Sequence, residues 1–424
     1  MKNLVITLAF LSLTSMVSAL PPTPAPKQTE SVVYHNANVH IGNGEVLNGA
    51  TIAFNDGKIS RVGYFRMKWQ PTDIDLNGKH VYPGFILANT NIGIGEIGSI
   101  KATMDTNEVG QMNPNVRSIV AYNTDSEIPP TLKFNGVLLA QTTPSGGLVS
   151  GLSSVVQLDA WNWQDAAVLI DDALHVNWPS AKRVTYDYST STVKYDKNKN
   201  YPEQISQIKS LFEDAKLSLN NQNNNLKLGA VAPVFTGARK VYVHTNDPKA
   251  IVESINYLQE LGVKNMVLVT EQGAVPVIGF IKQSGVPVIV ASVHEKPQRD
   301  DLSVDAGYTT AVKLHQAGVL TGIANSSAMS GRNLAFTAGT LVSYGLEKEQ
   351  ALMLITSNLA KILGIDKSYG TLEVGKSATL IVTEGDALDM RGNKLEAAYI
   401  DGRKLNLEGR QQELEKRFLE KYQK

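Results

Sequence analysis

Several apolar runs in this 424-residue chain end in side chains that bind rather than pack. The first, Val81-Tyr-Pro-Gly-Phe-Ile-Leu-Ala-Asn-Thr-Asn91, closes on two amides separated by one residue. Residues i and i+2 of a strand share a face, so Asn89 and Asn91 are expected to project together. Val241-Tyr-Val-His244 ends in an imidazole, Met266-Val-Leu-Val-Thr270 in a hydroxyl and Gly322-Ile-Ala-Asn325 in a third amide. On the strands of a parallel barrel these ends converge at one face, where barrel sites are built. The chemistry open to them favours binding over turnover. An amide oxygen suits Ca²⁺ or Mg²⁺ and is weak toward zinc compared with imidazole. Threonine has no useful basicity at neutral pH, and asparagine cannot take and return a proton as a carboxylate does. His244 is either a metal ligand or a core histidine bonded to Asn89 or Asn325. His294, just after the apolar run at 286–291, lies either beside His244 or on a plain loop.

Two more features fall near the same face. In Pro144-Ser-Gly-Gly-Leu-Val-Ser-Gly151 the backbone N–H groups of Gly146 and Gly147 could cradle a carboxylate. The alternative is a plain turn, and no Gly-Lys-Ser/Thr follows to make it a phosphate loop. Arg332 either grips a carboxylate bidentately or is a surface or helix-capping arginine. His35, His40 and His80 fall in the N-terminal β-rich region, His175 on a loop and His315 on a helix.

The elements that would position these residues follow from periodicity. Residues 31–62 hold short β-branched runs broken by glycines, with Asp56-Gly57 as a hairpin signal. From Lys240 onward apolar strands alternate with helical segments, the signature of a parallel α/β barrel. Asp247 and Pro248 make an N-cap and N1 start, and Ile251, Ile255 and Leu258 form one helical stripe. Strands are expected at 266–270, 286–291 and 319–324, and helices at 274–283, 306–316, 333–344 and 348–356. Residues 92–127 form a long polar loop expected to drape over the barrel mouth. Residues 186–225 read as a helix plus an exposed insertion. Residues 407–424 form a charged helix whose Leu414, Phe418 and Tyr422 stripe is expected to dock on the body.

Pro83-Gly84-Phe85-Ile86 followed by a polar-x-polar pair resembles the opening of the barrel in the amidohydrolase superfamily, in its imidazolonepropionase-like and prolidase-like members. Tyr369-Gly-Thr-Leu-Glu-Val-Gly-Lys-Ser-Ala-Thr-Leu is similar to that family's returning strand pair, and Asn358-Leu-Ala-Lys-Ile-Leu-Gly364 to the signature closing its barrel, with Leu359 replacing a proline. The resemblance implies a TIM-like (β/α)8 barrel over residues 83–365. It also implies a composite β-sandwich built from residues 31–82 and 366–406. In the family, His-x-His, a mid-barrel Lys or Glu, two later His and an Asp hold a catalytic metal, usually zinc. Here Asn89 and Asn91 stand at the first pair, His244 is retained, Thr270 stands at the second later His, and Asn325 stands at the Asp that shuttles the proton. No mid-barrel Lys or Glu can be assigned. Losing even an outer-shell partner costs roughly 10–100-fold, so four such replacements together argue against the family's zinc chemistry.

Formal charge is zero, with 40 basic and 40 acidic residues, so nothing points to nucleic acid or an acidic membrane. The absence of cysteine excludes disulfides, thiolate metal sites and a cysteine nucleophile. Residues 1–19 read as a cleavable signal peptide ending Val17-Ser18-Ala19, and residues 20–30 as a Pro-rich linker. The expectation is a periplasmic or secreted protein with no membrane insertion after cleavage. Its cofactor is none, or a weakly bound divalent metal. Besides a structural or interaction role for the C-terminal helix, two functions remain open. One is a non-catalytic or weakly active homologue that binds a small molecule, as a homo-oligomer or beside an active relative. The other is a metal-dependent hydrolase of carbon–nitrogen bonds other than peptide bonds, acting on cyclic amides, imidazolone-like rings or dipeptides through a reduced site at His244.

Overall fold

The computed structural model describes residues 23–422 except 67, 188, 191, 220–223, 300 and 326. The expected signal peptide lies outside the described residues. Val32–His40, Val46–Asn55 and Lys58–Gly63 form an antiparallel meander. Its second turn places both Asp56 (φ 49°) and Gly57 (φ 76°) in the left-handed region, as a two-residue hairpin requires. His80–Pro83 joins Val32–His40 in parallel, and Leu380–Thr383, Leu395–Ile400 and Arg403–Lys404 return from the far end of the chain to extend the same sheet. The two ends thus share one continuous hydrogen-bonded sheet, curled around Tyr34, Ile52, Phe54, Leu380 and Tyr399.

The barrel strands are β1 (Phe85–Thr90), β2 (Val137–Thr142), β3 (Val149–Gln157), β4 (Ala167–Asn177), β5 (Lys240–His244), β6 (Met266–Thr270), β7 (Val288–Val290) and β8 (Thr321–Ile323). They pair in chain order, and a bridge between Ala88 and Ala324 closes the ring. The structure departs from the all-parallel expectation at β3, which runs antiparallel to both neighbours. The reason is local. The connection from β2 is the short turn at 143–148, and parallel pairing would need a crossover of a dozen or more residues. Inward side chains Ile86, Leu139, Val155, Tyr242, Val267, Val269 and Ile289 fill the ring. The helix Ser357–Leu363 plugs its floor: Leu359 lies so close to Gly322 that a Cβ there would meet its Cδ2 at 2.4 Å, and Asn358 Nδ2 donates to Thr321 O at 2.8 Å.

Outside the ring, the helix Pro248–Leu261 starts where the sequence places it. The Asp247 side chain accepts from Lys249 N, and Ile251, Ile255 and Leu258 are fully buried. The region 182–218 contains a two-stranded ribbon, Lys182–Asp187 with Thr192–Lys197, and then the helix Tyr201–Ser218. The loop at 92–127 lies against the mouth end of β3, where Met112 and Arg117 bridge to Val149 and Leu152, and then passes down the flank. The Pro-rich segment is not a free tether: Ala25 N donates to the buried carboxylate of Asp159, which also takes Lys133 Nζ at 2.9 Å and Arg403 Nη1 at 2.8 Å. The C-terminal helix Arg410–Tyr422 buries no residue, and Leu414, Phe418 and Tyr422 face solvent. The expected docking on the body is corrected: Leu414, Phe418, Leu419 and Tyr422 are the four large apolar side chains over 13 residues, and they do not outweigh the charged remainder. No helix of the described residues is long and apolar enough to cross a membrane.

Candidate functional site at the barrel mouth

Strand parity sends Tyr242 into the ring and, two residues on, His244 toward its mouth. β4 runs beside β5 with Tyr242 opposite His175 and His244 opposite Asn177. This brings His175 Nδ1 to 2.8 Å from His244 Nε2. His175 therefore sits on a strand inside the barrel and not on a loop. One ring donates its N–H and the other accepts on its lone pair, so with both rings neutral their tautomers are complementary. Burial holds both imidazoles uncharged: it pushes His244 down to about 4, and burial together with its neighbour His244 pushes His175 well below the usual histidine value. His175 is fully enclosed, and its Nε2 has no hydrogen-bond partner; neither does the buried Tyr242 hydroxyl nor the Asn91 amide oxygen.

Deeper in the barrel a polar network ties three strands together. Asp172 accepts from Ser153 Oγ at 2.7 Å and from Gln141 Nε2 at 2.8 Å, and burial raises its carboxyl above the ordinary range. Lys240, at the lower end of β5, is pushed down by the same desolvation. Gln141 Oε1 in turn accepts from Asn89 N at 3.2 Å. That bond holds a bulge: Asn89 has φ 50°, and the register of β1 on β2 slips between Leu87 and Thr90. The Asn89 and Asn91 pair thus reaches the mouth through a bulge, which re-aims side chains, and not by simple alternation.

The remaining candidates scatter. Thr270 shares parity with Leu268, away from the interior residues Val267 and Val269, and its hydroxyl donates to Asn246 Oδ1 at 3.3 Å. Glu271 takes the inward parity instead. Its carboxylate accepts from the Gln298 amide, and burial raises its pKa. Asn325 is half-buried at the end of β8. His294 is not beside His244; its Nε2 lies 3.0 Å from Thr340 Oγ1, and its ring packs against Tyr308. Gly146 and Gly147 have φ 81° and 64°, and their carbonyls accept from Ser150 Oγ and Asn177 Nδ2. A Cβ on Gly147 would lie 2.8 Å from Gln111 O, so the turn needs glycine for its packing against the loop. Arg332 lies away from the mouth: its carbonyl accepts from Asn135 Nδ2 at 2.7 Å, just before β2 begins at the floor.

Sequence reasoning missed His175, Asp172 and Glu271. The i, i+2 spacing of Ala173, His175 and Asn177 was the available signal for the first; the parity of Met266-Val-Leu-Val-Thr-Glu271 was the signal for the last. A catalytic zinc site takes three protein ligands and leaves a position open. Here the donors at the mouth are two imidazoles bonded to each other, neutral amides, and the Glu271 carboxylate, which accepts from Gln298. Among the described residues no three His, Asp or Glu side chains group in a geometry for one ion. This donor set does not fit that metal.

The sequence model of the Amidohydrolase family matches residues 203–408. A 5-methylthioadenosine/S-adenosylhomocysteine deaminase of Moorella thermoacetica is 34% identical over 95 residues, which is 20% of this chain and only 22% of that protein. An amidohydrolase structure from Thermotoga maritima MSB8 superposes with a TM-score of 0.78 at 23% identity, over 88% of this chain and 99% of that one. A prolidase complexed with N-methylphosphonate-L-proline gives a TM-score of 0.55 at 15% identity, over 89% and 100%. At these identities the structural likenesses establish the fold alone.

Proposed function

The chain belongs to the amidohydrolase superfamily, and from that premise we propose that it is an exported relative whose barrel mouth binds a small polar molecule without metal-assisted hydrolysis. The observation that carries this reading is the His175–His244 hydrogen bond. It occupies the one imidazole nitrogen pair facing the site, beside Asn89, Asn91 and Asn325, which offer neutral amides. No carboxylate stands at the end of the last barrel strand, where Asn325 replaces a group able to move a proton. A ligand entering here meets the donors and acceptors of these amides and the partly exposed ring of His244. Elemental analysis of protein purified without chelators tests the proposal. Substoichiometric zinc, manganese and iron are expected, and one equivalent of any of them sinks it.

A second reading has one observation in its favour. Facing nitrogens 2.8 Å apart are also within reach of two ligands on one cation at the usual Zn–N distance of about 2.0–2.1 Å. An active hydrolase of cyclic amides, imidazolone-like rings or dipeptides would then lose turnover on chelation and in His244→Ala.

A further inference from the structure

We propose that the groove between the barrel floor and the curled sheet, at the opposite end from His244, is a second binding site for a neutral, hydroxyl-rich ring compound of the oligosaccharide class. The groove, open along one side, holds about 950 Å³, within the roughly 300–1,000 Å³ of small-molecule sites. One wall is the Pro-rich segment at 23–28, and it is built rather than loosely laid: Ala25 N donates to Asp159 Oδ2 at 2.8 Å, Arg403 Nη1 to Ala25 O at 3.1 Å, and Gly57 N to Gln28 Oε1 at 2.9 Å.

The opposite wall carries Trp161, which is 65% exposed. Its backbone is clamped on both sides: its N–H donates to Asp165 Oδ2 at 3.0 Å and its carbonyl accepts from Thr124 Oγ1 at 3.1 Å. A large ring left in solvent on a fixed backbone is a stacking platform for which only the two side-chain torsions remain to be ordered on binding. The charges decide the ligand. Lys27, Lys58 and Arg403 line the groove with Asp56, Asp165 and Asp401, three cations against three carboxylates, so no net field selects an anion or a cation. A flat aromatic face beside mixed donors and acceptors matches a sugar ring, whose C–H faces are apolar and whose hydroxyls both donate and accept.

Calorimetric titration of the protein with cellotetraose and chitotetraose tests the site. Saturable millimolar binding of at least one is expected, about tenfold weaker or lost in Trp161→Ala, weaker in Lys58→Ala and unchanged in His244→Gln. Both groove side chains lie outside the core, so thermal melts should match the wild type. No saturable heat with either probe, binding that survives Trp161→Ala, or tighter binding of a sulfated tetrasaccharide would overturn the assignment.

Discussion

Acidification should weaken this fold through His244, and the amount can be worked out. Its folded-state pKa is held at about 4 against an ordinary 6.5. A depressed folded value means the unfolded chain binds the proton first. The stabilisation is therefore present in full above pH 6.5 and is lost as the pH falls toward 4. At about 1.4 kcal/mol per pKa unit the whole shift is worth roughly 3 kcal/mol, and about 2 kcal/mol of it is gone by pH 5. Partial exposure of His244 makes these upper figures, because solvent screens part of the penalty. His175 and His80 titrate in the same direction, so wild type alone cannot isolate one group. The comparison is with His244→Gln, whose amide can still meet His175 Nδ1 and does not titrate. Urea unfolding at pH 7 and pH 5 reads the free energies of both proteins. The wild type should lose more between the two pH values, by one to about 2 kcal/mol. Equal losses would refute the claim that His244 is buried neutral.

The floor plug and the terminal helix give two further outcomes. Leu359→Ala removes a fully buried side chain packed on Gly322 and should cost about 2–5 kcal/mol in denaturant unfolding; a loss below 1 kcal/mol would mean the floor collapses to refill the space. Truncation after Gly409 removes a helix with no buried residue and should leave the melting temperature within about 2 °C of the full chain.

Much of the architecture is legible in the sequence because burial writes a period. Val241-Tyr-Val-His244, Met266-Val-Leu-Val-Thr270, the Asp247–Pro248 start and the two Asp-Gly turns at 56 and 401 each carry a local signal that the structure repeats. What escaped had no such signal. The direction of β3 depends on which strands flank it, and an alternating run reads the same in either sense. Asn89 sits in the left-handed region with its N–H taken by Gln141, 52 residues away. His175 meets His244 through strand adjacency across 69 residues, and Thr270 and Glu271 exchange roles by one step of parity. Family matching by strand end alone cannot see that step.

The reversal of β3 bears on how the chain assembles. Strands β2, β3 and β4 form a meander joined by short links, so their pairings close small loops and can form early. The seam between Ala88 and Ala324 joins residues from opposite ends of the barrel and must wait until the intervening helices are placed, since non-local parallel pairing is intrinsically slow. A nascent chain emerging N-terminus first would thus hold a preformed three-stranded patch well before its ring can shut, with the inward face of that patch open to other chains in the meantime.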